Sequence, residues 1–353
     1  MRQTVKWIVL FGILTVTSGC WDNKDINHRS LPVVMGIGDA AGDYEVFLQI
    51  PEPVDSKMRV KIISEKDKTI TKAVDKISEN QETQVDLLHL KLILIHSRCA
   101  ERGLDNLFDY FMRVRDISPK ALVVISDEEL GTFFRNVQKS MKPTGTNLND
   151  FFEKNAGWNP QIALTRIWQV YRSIHSFTRD VAVPIVKSGK STLIEHIGSG
   201  VIRNGKLVGR IDPDETLLFN AFTGQSGQGK IEVLSRSSVM IDKVRVRRRS
   251  GIRGGVPWMN VRMDITVSLL ELRQGTTIEE VKQELAELLD HRFERMLARV
   301  QAERSDIFAL GQHFRNLLPR DRLREWRDQD YPRLKVDFKT HVVIEDYGHV
   351  KAN

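Results

Sequence analysis

Val261, Met263, Ile265, Val267 and Leu269 alternate with Arg262, Asp264, Thr266 and Ser268, and no other stretch of the chain restricts its fold as strongly. A period of two places the apolar side chains on one face of a strand and the polar ones on the other. The sheet holding this strand must be covered on one side and wet on the other, which is the habit of antiparallel sheets. Leu334, Val336, Phe338, Val342 and Ile344 repeat the period near the C-terminus, predicting a second strand of the same antiparallel sheet. The residues between them supply the cover. Thr277-Ile278-Glu279-Glu280 fits a capping box, opening a long helix through Val281, Leu285, Leu288, Leu289, Arg292, Met296 and Val300. Ser305 or Asp306 then caps a second helix bearing Ile307, Leu310, Phe314 and Leu317, closed by Pro319. Strands, two helices and a final strand make an α+β unit with the helices packed on one sheet face.

The first half has another rhythm. Leu31 to Gly38 and Tyr44 to Ile50 read as a hairpin around Gly42-Asp43. Ile70, Ala73, Val74 and Ile77 recur at helical spacing, as do Leu104, Leu107, Phe108, Phe111 and Met112. Leu87 to Ile95, broken only by His89 and Lys91, and Ala121 to Ile125 have the continuous apolar character of buried strands. Residues 127–175 read as mainly helical, Lys142 to Asn147 as an exposed turn, and Val181 to Val186 as extended. The expected class is α+β: a mixed-sheet N-terminal region, residues 20–190, that could divide into 20–126 and 127–190, and a C-terminal unit, residues 191–353.

Residues 1–19 read as a cleaved export signal. Arg2 and Lys6 make a basic start, Trp7 to Val16 an apolar stretch, and Thr17-Ser18-Gly19-Cys20 a small-residue ending. A bilayer span needs about 20 apolar residues, more than this run supplies. Cleavage between Gly19 and Cys20 would free a thiol for acylation. A diacylglyceryl thioether, with or without a further N-acyl chain, supplies the two hydrophobic anchors that stable attachment requires. With Cys20 lipidated, Cys99 has no partner, so the fold rests on its cores rather than on a disulfide; Cys99 itself is expected to be buried and inert.

Several motifs suggest chemistry that their settings deny. Gly224-Gln225-Ser226-Gly227-Gln228-Gly229-Lys230 has the spacing of a phosphate loop, but Ile231 stands where Ser or Thr would hold magnesium, and the residues before it are helical in pattern. Gly36-Ile37-Gly38-Asp39-Ala40-Ala41 is followed by a strand, not by the helix a dinucleotide needs. The nine histidines form no ligand pattern, and no acid/base pair or nucleophile motif is visible, so neither a metal, a cofactor nor an enzymatic activity is expected.

Lys243, Arg245, Arg247 and Arg249 line one face of a strand, joined by Arg248 and Arg253. They make either a solvated edge that resists strand-to-strand aggregation or a contact for anionic lipid or an acidic partner. Nucleic acid is not the expected partner, because the aromatic residues that stack bases are missing from this run.

Cys20-Trp21-Asp22-Asn23-Lys24-Asp25-Ile26, then Val34-Met35-Gly36-Ile37-Gly38, His89-Leu90-Lys91, Gly200-Val201-Ile202, Lys206-Leu207-Val208-Gly209, Glu215-Thr216, Ser305-Asp306-Ile307-Phe308-Ala309-Leu310-Gly311 and Trp326 follow in order along the chain. Together they resemble the Ger(x)C lipoproteins, the C subunits of spore germinant receptors. The resemblance implies a non-catalytic lipoprotein on the outer face of the spore inner membrane, assembled with a membrane-embedded A subunit and a transporter-like B subunit. A rival reading, a solute-binding lipoprotein delivering a small molecule to a transporter, requires two similar parallel α/β lobes. The periodicities of the second half do not predict a lobe of that kind.

Overall fold

The computed structural model describes residues 29–40, 42–54, 57–140, 148–152, 159–225 and 227–346. Gly19, Cys20 and the expected turn at 142–147 lie outside these. Val34–Ala40 (β1) and Asp43–Val54 (β2) form the expected hairpin, turning at Gly42, whose φ of 105° suits only glycine. Lys57–Asp67 (β3), Leu92–His96 (β4), Leu122–Ser126 (β5), Val181–Ser188 (β6), Ile194–Arg203 (β7) and Lys206–Ile211 (β8) complete an eight-stranded sheet ordered β8-β7-β6-β5-β4-β1-β2-β3. Its middle strands β6-β5-β4-β1 run parallel, and antiparallel strands flank them on both sides.

Every residue of β4 and β5 is buried, because helices cover both faces. Ile70–Glu79 (α1), Ser97–Arg102 (α2), Asp105–Arg113 (α3), Leu130–Ser140 (α4) and Ile167–Ile174 (α5) divide that work. On one face Ala73, Ile77, Phe108, Phe111 and Val170 meet Ile93, Ile95, Val123 and Ile125. On the other, Phe133, Phe134 and Val137 of α4 meet Leu92, Leu94, Leu122 and Val124.

Two features of this half differ from the periodicity reading. Leu87–His89 is a 3-10 turn capped by Asp86, whose carboxylate accepts the Leu88 N–H at 3.0 Å, so the strand begins only at Leu92 and His89 sits outside it. β3 was not foreseen, since it is an edge strand bearing Arg59, Lys61 and Lys66, and charge on an edge masks the apolar alternation. Residues 127–190 contribute α4, α5 and β6 to this same assembly. The division expected at 190/191 falls in the loop between β6 and β7, which pair with each other, so the sheet continues to Ile211.

Pro213–Thr223 (α6) leads into the second sheet, built of Ile231–Val233 (β9), Ser237–Arg253 (β10), Val256–Leu272 (β11) and Lys335–Asp346 (β12) in that spatial order. β10 and β11 form one long hairpin closed by Gly254-Gly255, both at positive φ, as a tight two-residue turn requires. Ile278–Ala302 (α7) begins at the foreseen box: Thr277 Oγ1 accepts the Glu280 N–H at 3.3 Å and Glu280 accepts the Thr277 N–H at 2.7 Å. Arg292 is buried within its apolar face because Glu232 pairs with it at 2.7 and 3.2 Å. Phe293 of α7 stacks on Phe222 and Phe338 and meets Phe308 at a tilt, with centroids 4.0 to 5.3 Å apart.

Two expectations need correction here. β12 lies parallel to β11, so the sheet is antiparallel only through its first strands. The chain leaves β11, crosses the covered face as α7 and returns; such a crossover restores the strand's direction, whereas a tight hairpin reverses it. The second helix is not α-helical at Ile307 to Leu317 but a loop with a 3-10 turn at Leu310–Phe314. Asp306 is the reason. Its side chain accepts the Leu310 and Gly311 N–H groups at 2.8 and 2.7 Å, donors that an α-helix would have used otherwise, and it also accepts the Trp326 indole N–H at 3.0 Å.

Asp306 also joins the two sheets. Its N–H donates to Asp180 Oδ2 at 2.8 Å, and its carbonyl accepts the Asp180 N–H at 2.9 Å. Arg327 clamps Asp180 with contacts of 2.7 to 3.1 Å and donates to the carbonyls of Ser176 and Arg179 at 2.6 and 2.8 Å. Asp180 and Asp306 are 2% and 0% exposed, and burial pushes the Asp306 carboxyl up to about 7. One apolar core runs unbroken from Ile93 and Val123 through Val201, Leu218 and Phe222 to Phe293 and Phe338. The two sheets, eight mixed strands and four, are unlike each other, and they are not the paired similar lobes of a solute-binding protein.

Candidate interaction face of the second sheet

α7 covers one face of the second sheet and leaves the other to solvent, so the alternation of β10 sorts its side chains by charge. Lys243, Arg245, Arg247, Arg249 and Arg253 are exposed, while Val239 and Ile241 are buried and Val244 and Val246 pack against the core. Arg248 is the exception among the expected cluster. It turns toward α6, where its guanidinium donates to the Phe222 carbonyl at 2.7 Å and lies 4.8 Å from the Phe222 ring centroid. Burial lowers its pKa from the usual arginine value, and its role there is packing.

Register sets the neighbours. Arg249, Asn260 and Asp337 make one row across β10, β11 and β12; Arg247, Arg262 and Lys339 make the next; Arg245, Asp264 and His341 make the third. The middle row places three cations side by side, an arrangement that repels across strands. Asp264 relieves part of it, lying 3.2 Å from Arg247, 2.7 Å from Arg262 and 3.6 Å from His341. Partial burial works to raise the Asp264 pKa, but the Arg262 hydrogen bond and the charges of Arg247, Arg262 and His341 outweigh it and hold the carboxyl below its usual value. Among the described residues Lys243, Arg245, Arg249 and Arg253 have no carboxylate within ion-pair distance. Arg247, Arg249, Arg262 and Lys339 rim a shallow depression of about 310 Å³. Beyond the short β9, which meets only Ser238 to Met240, no strand among the described residues extends the outer edge of β10. The result is a broad cationic surface with charge in excess of its own counter-ions, suited to polyanions rather than to bond-making chemistry.

The remaining sequence candidates are placed as follows. Gly19 and Cys20 lie outside the described residues. Cys99 is buried in α2, and burial pushes its thiol up to about 11, keeping it protonated and unreactive. Gly224 closes α6 at a φ of 80°, and Lys230 pairs with Asp214 at 2.8 Å, so the glycine run ends a helix and lies in no phosphate-loop setting. Among the described residues no three His, Cys, Asp or Glu side chains gather as metal ligands, and no helix is long and apolar enough to cross a membrane. Sequence reading missed Arg262, Asp264, Lys339 and His341 as members of the face. The signal is present, since Arg262 and Asp264 stand on the wet side of β11, but strand pairing is needed to join them to β10.

Known proteins match this chain over nearly its whole length. Residues 22–188 match the spore germination protein N-terminal domain, and residues 197–348 match the spore germination B3/GerAC-like C-terminal domain. The chain is 19% identical over 342 residues to spore germination protein GerQC of Bacillus cereus, covering 92% of this chain and 93% of that protein. It is 24% identical over 316 residues to spore germination protein B3 of Bacillus subtilis (strain 168), covering 85% and 83% respectively. The crystal structure of the GerBC protein superposes with a TM-score of 0.59 at 17% identity, over 88% of this chain and 97% of that one, which establishes a shared fold. The chain therefore belongs to the Ger(x)C family of spore germination proteins, whose N-terminal and C-terminal domains it carries in order.

Proposed function

We propose that this chain is the lipid-anchored, non-catalytic C subunit of a nutrient germinant receptor, acting in receptor assembly or signalling during spore germination. The observation that carries the reading is the match to both family domains across residues 22–188 and 197–348. In this reading Cys20, freed by cleavage after Gly19, bears a diacylglyceryl thioether and holds the protein on the outer face of the spore inner membrane, beside membrane-embedded A and B subunits. The basic start, the short apolar stretch and the small residues before Cys20 support the anchor. The row Arg247-Arg262-Lys339 supports a contact of this face with the membrane or a partner, because three aligned cations, of which only Arg247 and Arg262 meet Asp264, gain most beside anionic headgroups or an acidic partner.

The test is Cys20→Ala. The substituted protein is expected to leave the membrane fraction of spores, and nutrient-triggered germination through its receptor is expected to fall while germination by a non-nutrient route persists. Unchanged membrane retention together with unchanged nutrient response would overturn the proposal.

A further inference from the structure

A second cationic site lies where the two halves of the chain meet, in a cleft that shares no lining residue with the Arg247-Arg262-Lys339 depression. The link from α5 into β6 and the segment after the Leu310–Phe314 turn enclose a cleft of about 640 Å³. Four arginines line it, Arg172, Arg179, Arg315 and Arg320, and no aspartate or glutamate does. Among the described residues none of the four has a carboxylate within ion-pair distance, and Arg172 lies over the Trp168 ring at 4.7 Å. Arg172 and Arg179 also border a smaller cavity of about 280 Å³ against Phe222 and Ile307.

Arg179 is the unusual member. Its Nε is inaccessible to water and has no hydrogen-bond partner. Burial lowers its pKa, and the charges of Arg172 and Arg315 lower it further, with only Asp306 opposing. A half-buried guanidinium among like charges is costly, and an anion in the cleft that its side chain lines offsets that cost. Nothing lets it swing clear at the backbone either, because its carbonyl is held by Arg327 and the next residue is the buried Asp180. Gln312 and Thr178 hydrogen-bond to each other across the cleft, fixing its two walls at a constant separation. The fold thus brings four guanidinium groups to one cleft without a carboxylate among its lining residues.

We propose that this cleft binds an oxyanion, a phosphate or carboxylate group carried by a small soluble molecule or by a lipid headgroup, seated on Arg179 between Arg172, Arg315 and Arg320. The planar fork of arginine suits two oxygens of one such group, and Leu318 and Leu323 give its carbon skeleton an apolar wall. The site does not require the Cys20 tether, and no residue of the sheet-face depression lines it.

The experiment is calorimetric titration of the full chain in detergent micelles with inorganic phosphate and with citrate, and co-sedimentation with phosphatidylcholine vesicles with and without phosphatidylglycerol. Saturable binding of a free anion, weakened about tenfold or more by Arg179→Gln and left within about twofold by Arg245→Gln with Arg247→Gln, supports a soluble ligand. No free-anion binding, but vesicle binding weakened about tenfold by Arg179→Gln, supports a headgroup. Circular dichroism checks the fold of the variant, and Arg315→Gln, at an exposed position, must weaken the same binding if Arg179→Gln fails to fold. The proposal is overturned if no saturable binding occurs in either arm, if Arg179→Gln and Arg315→Gln leave it unchanged, or if the sheet-face variant weakens free-anion binding as much as they do.

Discussion

Arg327→Met removes the clamp between the two halves while keeping much of the side chain's volume. The guanidinium makes three contacts to the Asp180 carboxylate within 3.1 Å and donates to two carbonyls, with both charged side chains at 6% exposure or less. Losing one partner of such a buried pair costs about 3–5 kcal/mol, because the surviving charge stays buried without compensation. Asp180 would keep only the Asp306 N–H as a donor from across the interface and would face the Asp306 carboxylate. Against a total stability of about 5–15 kcal/mol the variant folds, but with little reserve. Urea unfolding at neutral pH, followed by intrinsic tryptophan fluorescence, reads the loss; with a slope of about 3 kcal/mol per molar the midpoint should fall by about 1 M or more. Asp180→Asn with Arg327→Met should recover most of it, since the amide retains an acceptor for the Asp306 N–H and carries no charge. Burial already raises the Asp180 pKa and Arg327 opposes that, so the single variant should regain stability as pH falls and Asp180 takes up a proton. A loss below about 1 kcal/mol, or a double variant no more stable than the single, would refute the argument that this pair is an uncompensated-charge hazard.

Phe293→Ala should cost about 3–5 kcal/mol in the same unfolding assay, because Phe293 is 1% exposed and stacks on Phe338 at 4.0 Å and on Phe222 at 5.3 Å. The Asp306 carboxyl, raised to about 7 by burial, binds its proton more tightly folded than unfolded, so its contribution is fully present below about pH 4 and is lost as pH rises toward 7. Asp306→Asn should flatten that part of the stability–pH curve; an unchanged slope would show that another group causes it. Arg245→Gln with Arg247→Gln should weaken co-sedimentation with phosphatidylglycerol vesicles by about tenfold or more, at about 1 kcal/mol per basic residue near an anionic surface, and equal binding would remove the sheet face from the membrane contact. Gly311→Ala should destabilise the loop around Asp306, since a Cβ there would stand 2.5 Å from the Trp326 indole nitrogen and 2.8 Å from the Thr178 Cβ.

Elements whose signal is local were legible. The hairpin at Gly42, the buried strands around Ile93 and Val123, the capping box at Thr277 and the alternation at Val261 to Leu269 each depend on residues within a few positions of one another, and each stands where periodicity puts it. The helix expected at Ile307 to Leu317 failed for a tertiary reason: Asp306 takes the Leu310, Gly311 and Trp326 donors while being tied to Asp180, a residue more than a hundred positions away. Arg292 was read as one position of an apolar stripe, and only Glu232 from β9 explains how a charge survives there.

The candidate sites follow the same rule. Lys243 to Arg253 announced itself because its residues are adjacent in the chain, whereas Arg262, Lys339 and His341 joined it only through pairing register. Arg172, Arg179, Arg315 and Arg320 carry no common pattern at all, since one comes from α5, one from the link to β6 and two from the segment after Leu310–Phe314.

By itself the amino-acid order determined most of the strands and helices, which of their faces are wet, the export-signal pattern ending at Cys20 and the family, because these are recorded in spacings of two, of three to four, or in short contiguous runs. Only the tertiary structure decided that β12 lies parallel to β11, that one sheet runs through the expected division at 190/191, and which arginines share a cleft. Direction, continuity and clustered charge are set by contacts between residues remote in the chain, whose free energy exists only after both partners have been brought together.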